Sequence, residues 1–402
     1  MLTFIYTARD TATNKIAKST VQAESEREAA KLLMSRGLVP TKIVLETGRA
    51  NVLDKLKNRI STKDRVIFSR QLATLINAGL PLSQSLHTVQ GQTTNPRLKV
   101  IIQDITSSVE GGKTLADSFS KHDIFGDLYI ALIAAGEISG TLDKALERIA
   151  DQQEKDAEIS SKVKGAMVYP AIVLGVITLV IVFMLTSVVP QVEDLYKSLG
   201  RSLPFLTQIM VNAGRTVSSY WWLIILIIIA GIYFINRHSK TITGRRQLDA
   251  IKINMPLFGD LFKKLYMARF CRTGETLLQS GVQMLEMLRI SGRSVGNVLV
   301  QESINRGAEK VKSGKALSES IKTENYILPL VPQMIGIGEQ SGSIDGMMGK
   351  AATFYENEVD NAIKTISTAI EPILMVALAV VAGGMVGAIL MPIYGLANTS
   401  NI

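Results

Sequence analysis

A single cysteine, Cys271, stands in this chain of 402 residues, so no intrachain disulfide is available and the fold is expected not to depend on an oxidising compartment. There are three histidines, His87, His122 and His238. None lies at metal-ligand spacing from another or from Cys271. Aromatic residues make up 6%, which argues against an aromatic-lined binding protein. The N-terminus opens with charged and polar residues where a cleavable signal peptide would carry an apolar stretch, so none is expected. No nucleophile–base constellation is visible. The segment GGKT, Gly111–Thr114, resembles the end of a phosphate-binding loop, but the required glycine five positions before Gly112 is Ser107. A helix-ending turn is the better reading. Together these absences predict a scaffold with no catalytic residues, no cofactor and no metal.

Apolar residues are abundant, at 47%, with a mean hydropathy of +0.23. Three uncharged runs concentrate them: Met167–Val189, Tyr220–Ile235 (extendable back to Thr216) and Pro372–Leu396. About 20 apolar residues suffice to cross a bilayer as a helix. Trp221 and Trp222 begin the second run, where an interfacial aromatic belt would place them. Gly383, Gly384 and Gly387 in the third permit close helix contact in lipid. The net charge of +9 would suggest nucleic acid in a soluble chain. Here it reads as Lys- and Arg-rich cytoplasmic loops, with no nucleic-acid partner. Lys162 and Lys164 precede the first run, Arg237, Lys240, Arg245 and Arg246 follow the second, and Lys364 precedes the third. The positive-inside rule then makes the N-terminus and residues 237–369 cytoplasmic, with 190–215 and the tail 397–402 outside.

The chain also repeats itself. AGEISGTLD (Ala135–Asp143) matches IGEQSGSID (Ile337–Asp345), and Glu137 falls opposite Glu339 at an offset of 202 residues. Gly79 meets Gly281, GKTLADSF meets GKALSESI, Pro170 meets Pro372 and Pro190 meets Pro392 at the same offset. Two units result, about 54–190 and 256–392, each a cytoplasmic bundle feeding one membrane helix. The middle span returns the chain, so the repeat is parallel. An inverted repeat would have favoured a transporter, and the spans offer no intramembrane acid or base to support one.

The predicted fold is an all-α polytopic membrane protein with a small N-terminal α+β module. Its expected segments are the module 1–47, a basic linker 48–60, a first bundle 61–166 and a first span 167–189. An external connection 190–215 and a second span 216–236 follow. Then come a cytoplasmic linker 237–262, a second bundle 263–369, a third span 370–396 and an external tail 397–402. In the first bundle, Val66, Ile67, Leu72, Leu75 and Ile76 form one helical stripe ended by Gly79. Leu82, Leu86 and Val89 mark a second helix. Asn95 and Pro96 open a third with Val100, Ile101, Ile105 and Val109 on one face. Thr114 begins a short helix and Asp127–Ala135 forms a fifth. A long helix starts at Thr141, after the turn Gly136–Gly140. In the module, FIYTA, KIAKSTVQA and Lys42–Leu45 read as strands, and Ser25 with Glu28 as a capping box opening a helix that ends at Gly37. Glu154, Asp156 and Glu158 repeat as Glu356, Glu358 and Asp360. They read as a solvated face, with a docking surface or weak cation site as the alternative.

Two G-E-x-S-G-x-[LI]-D segments, each preceded by F-x-R-x-x-x-x-L-[IL]-x-x-G, resemble the type II secretion F protein and type IV pilus assembly-platform family. So do F-x-Y-x-A-x-D at Phe4–Asp10 and G-L-x-P at Gly37–Pro40. The resemblance covers essentially the whole chain. Gln283, standing where the first half has Pro81, departs from the shared pattern. The resemblance implies an inner-membrane platform for assembling pilin or pseudopilin subunits into a type IV pilus. The equivalent platform of a type II secretion or competence machine is the alternative, and a duplicated transporter the reading from another class. It implies a homo-oligomer in membrane lipid that docks a cytoplasmic hexameric assembly or retraction ATPase and contacts other inner-membrane components. The motif positions Gly79, Gly136, Glu137, Ser139, Gly140 and Asp143, with Gly281, Gly338, Glu339, Ser341, Gly342 and Asp345, are the interaction residues it suggests.

Overall fold

The computed structural model describes residues 2–10, 16–23, 26–35, 38–45, 59–198 and 205–397. Two compact units divide the chain: Met1–Ser61 with Thr94–Leu98, and Thr62–Thr93 with Lys99–Ile402. In the first unit β1 (Leu2–Asp10), β2 (Ile16–Ala23) and β3 (Leu38–Leu45) form an antiparallel sheet in the order β2-β1-β3. Helix α1 (Glu26–Ser35) lies between β2 and β3 in sequence. Pro40 has no N–H to give the ladder. It stands on an edge strand opposite Ala8, where the register shifts between Thr7 and Ala8, a position that tolerates proline. The proposed capping residue Ser25 and helix stop Gly37 lie outside the described residues, as do residues 48–58 of the linker and 398–402 of the tail.

In the second unit, the repeat read from sequence reappears in the helix boundaries. Helix α2 (Thr62–Asn77) is matched by α11 (Gly259–Gln279), α3 (Leu82–Gln92) by α12 (Met284–Ser294) and α4 (Pro96–Glu110) by α13 (Val298–Lys312). Next, α5 (Leu115–Ser120) is matched by α14 (Leu317–Lys322) and α6 (Asp127–Ser139) by α15 (Leu330–Ser341). Helix α7 (Leu142–Phe183) is matched by α16 (Ile344–Ala397). Between the halves lie a π-helical turn (Met184–Val188), α8 (Val189–Ser198), α9 (Phe205–His238) and α10 (Ile242–Asn254). The same local signals produce the same stops in both halves. Gly140 and Gly342 end α6 and α15 with φ of 70° and 72°, which glycine adopts without a Cβ penalty. Gln283 holds φ −61°, ψ 146°, close to the −56°, 144° of Pro81, so the departure in sequence is none in backbone.

Some of the sequence-based expectations need correction. Stripes drawn from hydrophobicity alone included Ile67 and Val100, which are 45% and 65% exposed. The buried faces are Phe68, Ser69, Leu72 and Ala73 on α2, and Leu98, Ile102, Ile105 and Thr106 on α4. The segment Gly136–Ser139 is not a turn but the last helical turn of α6. Glycine is needed at 136 because α7 crosses there: a Cβ would fall 2.6 Å from that of Ala145, and one on Gly338 2.7 Å from Cα of Ile344. Residues 237–262, expected as a linker, contain α10, whose buried Asp249 accepts from the N–H of Val298 at 3.0 Å.

Among the described residues, three helices are long and apolar enough to cross a membrane, within Leu142–Ser198, Thr207–His238 and Ile344–Gly387. The first and third are continuous with the last bundle helix of each half. At 1.5 Å per residue α7 is about 63 Å long and α16 about 81 Å, enough to span a bundle and a bilayer. The π turn falls just before Pro190, which lacks the N–H that a regular helix would use. Gly214 of α9 packs on it, where a Cβ would lie 2.3 Å from the Leu185 carbonyl oxygen. A Cβ on Gly383, Gly384 or Gly387 would meet nothing within 4 Å, so among the described residues these glycines make no close helix contact.

Candidate functional site

The motif glutamates act across 22 residues of sequence. Glu137, on the last turn of α6, accepts from the backbone N–H of Leu115 at 2.5 Å and of Ala116 at 2.9 Å. Glu339, on α15, accepts from the N–H of Leu317 at 2.6 Å and of Ser318 at 3.3 Å, and from the Ser318 hydroxyl. These N–H groups are the unpaired donors at the start of α5 and α14, at the positive end of the helix dipole. A carboxylate from a neighbouring helix satisfies them. In the first half Thr114 adds a cap, its Oγ1 accepting from Asp117 N–H at 3.0 Å; in the second, Ala316 cannot. Gly112, φ +85°, ends α4 just before that cap. Ser139 and Ser341 donate to the carbonyls of Ala135 and Ile337 at 2.7 and 2.9 Å. Asp143 and Asp345 sit in the first turns of α7 and α16. Glu137 and Glu339, with the close-packed Gly136 and Gly338, therefore fix how α5, α6 and α7, or their copies, meet. Glu137 and Glu339 are half-buried, while Ile138, next to Glu137, is 90% exposed.

The F-x-R arginines tie the first bundle helix to the last. Arg70 donates to both oxygens of Glu154 at 2.6 Å and to Asp151 at 2.5 Å. Arg272 donates to Glu356 at 2.8 and 2.7 Å, to Glu275 at 2.6 Å and to the Thr353 hydroxyl at 3.2 Å. The Arg70 hydrogen bond holds the Glu154 carboxyl below its usual range. The other acidic positions are also matched: Glu158 with Lys155 and Lys162, Asp360 with Lys162, Glu358 with Lys264, and Asp156 with Arg269 at 4.0 Å. Desolvation raises the Asp156 carboxyl above its ordinary value, against the pull of Arg269. Among the described residues no cluster of His, Cys, Asp and Glu is arranged to hold a metal ion. The histidines lie apart, His87 on Glu110, His122 on Asp104 and His238 on Gln247.

The two halves meet along one junction. Ile159 of α7 joins Leu261, Leu265, Val359 and Ile366 of α11 and α16 in an apolar cluster. Above it a polar cleft of about 450 Å³ is lined by Arg148, Gln152 and Glu154 from α7 and Arg272, Thr276 and Gln279 from α11. These pairings were missed by sequence reasoning because each joins residues about 80 or more positions apart.

A family model described as type II secretion system (T2SS), protein F matches residues 68–190 and again 270–392. A second, type II secretion system protein F, N-terminal domain, matches residues 1–44. The chain belongs to the type II secretion system protein F family. The two matched ranges reproduce the offset of 202 on which helices and capping glutamates repeat. Among curated members of this protein F family, the chain is 36% identical to a type IV pilus assembly protein PilC of Thermus thermophilus, covering all of both chains. It is 38% identical to the PilC of Myxococcus xanthus over 84% of this chain and 82% of that one. To the type II secretion system protein F of Xanthomonas campestris it is 33% identical, over 94% and 95%. The family is one of membrane platform proteins, built from the duplicated protein F domain and the helices that cross the membrane.

Proposed function

We propose that this chain is the inner-membrane assembly platform of a type IV pilus or pilus-like machine. It docks a cytoplasmic hexameric ATPase and passes pilin subunits into the fibre without an ATP site of its own. The observation that carries this is the end-to-end similarity to PilC of Thermus thermophilus. Continuous helices support it mechanically. A force applied to either bundle reaches the membrane through α7 or α16 without a hinge loop between bundle and span. In this reading both bundles and the N-terminus are cytoplasmic, and residues 190–215 and the tail are external. The exposed ends of α6 and α15 next to the capping glutamates, with the acidic stretches of α7 and α16, offer docking surface to the ATPase. A type II secretion platform is the second reading, favoured by the nearly full-length match to that system's protein F.

Pull-down of the detergent-solubilised full chain against the motor ATPase and pilin of its own organism tests this. Capture of both, with loss of fibres on gene deletion, is expected. Intact fibres in the deletion strain, with secretion lost instead, would select the second reading.

A further inference from the structure

The junction between the halves is one-sided. Arg148 of α7 donates to the Gln279 carbonyl at 2.9 Å and the Ser280 hydroxyl at 2.8 Å, at the C-terminus of α11. Lys162 of α7 bonds Asp360 of α16 at 2.8 Å, and Asp127 of α6 accepts from Arg293 of α12 at 2.7 Å. In each contact the first half uses its last two helices, α6 and α7, and the second uses α11, α12 or α16. Had the halves met around a two-fold axis, each contact would recur with the roles exchanged. A head-to-tail contact instead leaves one used and one unused face on each half, and its repetition builds a ring or an open array.

The unused faces are found at the fixed offset. Arg148 corresponds to Lys350, and the acceptors Gln279 and Ser280 to Asn77 and Ala78 at the C-terminus of α2. Lys162 and Asp360 correspond to Lys364 and Glu158. Lys350, Lys364, Asn77 and Ala78 are all exposed. The chemistry of the first contact is thus kept in part on surfaces the chain itself leaves open, a cation for a helix C-terminus, although Ala78 lacks the Ser280 hydroxyl. In the second, Glu158 is already held by Lys155 and Lys162. The third is not kept, since Asp127 and Arg293 correspond to Pro329 and Gly91.

Apolar groups are exposed on those same faces. Gln152 is 5% exposed at the internal junction, whereas its counterpart Phe354 on α16 is 48% exposed. Thr276 of α11 is 7% exposed, but its counterpart Thr74 on α2 is open. Ile67, Thr74 and Asn77 form one exposed stripe of α2. On α15, Ile337, 51% exposed, lines a groove of about 570 Å³ with Pro329, Pro332 and Gly336.

We propose that a second copy of this chain docks the exposed α2 stripe of its first half onto α15 and α16 of the second half, repeating between chains the head-to-tail junction made within each. Phe354 is covered by the neighbour's α2, and Lys350 reaches the end of that helix. Because α7 and α16 enter the membrane in the same sense, successive halves are related by rotation about the membrane normal. The apolar seam does not recur: Leu265, Ile366 and Ile159 correspond to Lys63, Lys164 and Asn361. The contact between copies is therefore more polar than the internal one, weaker and more sensitive to salt. It deepens the platform reading and rests on it for the membrane setting. The test reads cross-links and not fibres, so either can fail alone.

Full-length K350C and A78C chains carrying different tags are co-expressed, and their membranes are treated with a short bismaleimide. Cys271 is fully buried and stays silent. A cross-linked dimer carrying both tags is expected, with none from either variant expressed alone. A K350C homodimer in its place would mean a two-fold contact and overturn the proposal, as would the absence of any cross-linked dimer. Independently, F354D alters an exposed side chain, and circular dichroism checks its fold. It should weaken self-association of the detergent-solubilised full chain by about tenfold or more, as for loss of a central aromatic contact, measured by mass photometry. Association equal to wild type would overturn the proposal.

Discussion

The halves of this protein share a backbone but not a burial pattern. Arg70 keeps 35% of its side chain open to solvent, and its partners Glu154 and Asp151 keep 43% and 62%. Arg272 keeps 22%, and its partners Glu356 and Glu275 keep 17% and 19%. The difference arises because α11 faces the internal junction while the matching face of α2 is open. Duplication thus preserves the interactions that define each bundle, while the junction decides how much each is worth.

Charge is also rearranged across the repeat. His122 bonds Asp104 in the first half, and at the corresponding positions Glu324 bonds Arg306 in the second. The position conserves a paired contact, with its polarity reversed. Glu324, 7% exposed, also accepts from Lys310.

The sharpest way to break the comparison is to remove the arginines in turn. Arg272→Ala strands two largely buried carboxylates and should destabilise the second bundle by roughly 3 kcal/mol or more. Arg70→Ala, at the more solvated site, should cost about 1 kcal/mol or less. Hydrogen exchange of the full chain in detergent, read separately on peptides of α2 and α11, measures both, and equal costs would erase the distinction. The capping glutamates come next. Glu339→Ala, without a threonine cap to assist, should cost about 2 kcal/mol, and Glu137→Ala about 1 kcal/mol. Thermal unfolding of the purified chain should rank them in that order.

A pH series sharpens the reversed pair. Desolvation pushes the Glu324 carboxyl up, but hydrogen bonds from Lys310 and Arg306 outweigh it and hold it below its ordinary value of 4.5. A carboxyl depressed on folding contributes stability above its unfolded pKa and loses it as pH falls through the folded one. Protection of α13 and α14 should therefore drop as pH falls below about 4.5, the ordinary glutamate value, and E324Q should flatten that response. The smallest effect is expected at Gln283. Its backbone already matches that of Pro81, and the preceding N–H of Val282 bonds Leu277 at 3.0 Å as Leu80 bonds Leu75 at 3.1 Å. Gln283→Pro should stabilise by about 0.4–1 kcal/mol through the unfolded chain, seen as a raised midpoint in denaturant.

What was legible in the sequence was what depends on neighbours or on a fixed repeat. Gly79, φ +82°, announced the end of α2, Asn95 capped α4 by accepting from Arg97 and Leu98 at 3.1 Å, and the offset of 202 located both bundles. The roles of Glu137 and Arg70 were hidden because their partners come from other helices. Ile67 and Val100 were misplaced because periodicity marks apolar residues without saying which face the next helix covers.

All of this requires the two bundles to lie on one side of the membrane. Single cysteines replacing Lys121 in the first bundle, Lys322 in the second and Lys197 in the connection, all exposed positions, can be probed with a membrane-impermeant maleimide, with Cys271 silent. In intact spheroplasts only the cysteine at 197 should label, and in inverted vesicles only those at 121 and 322. Labelling of one bundle from each side would place the halves across the membrane from each other and contradict the parallel duplication and the junction built on it.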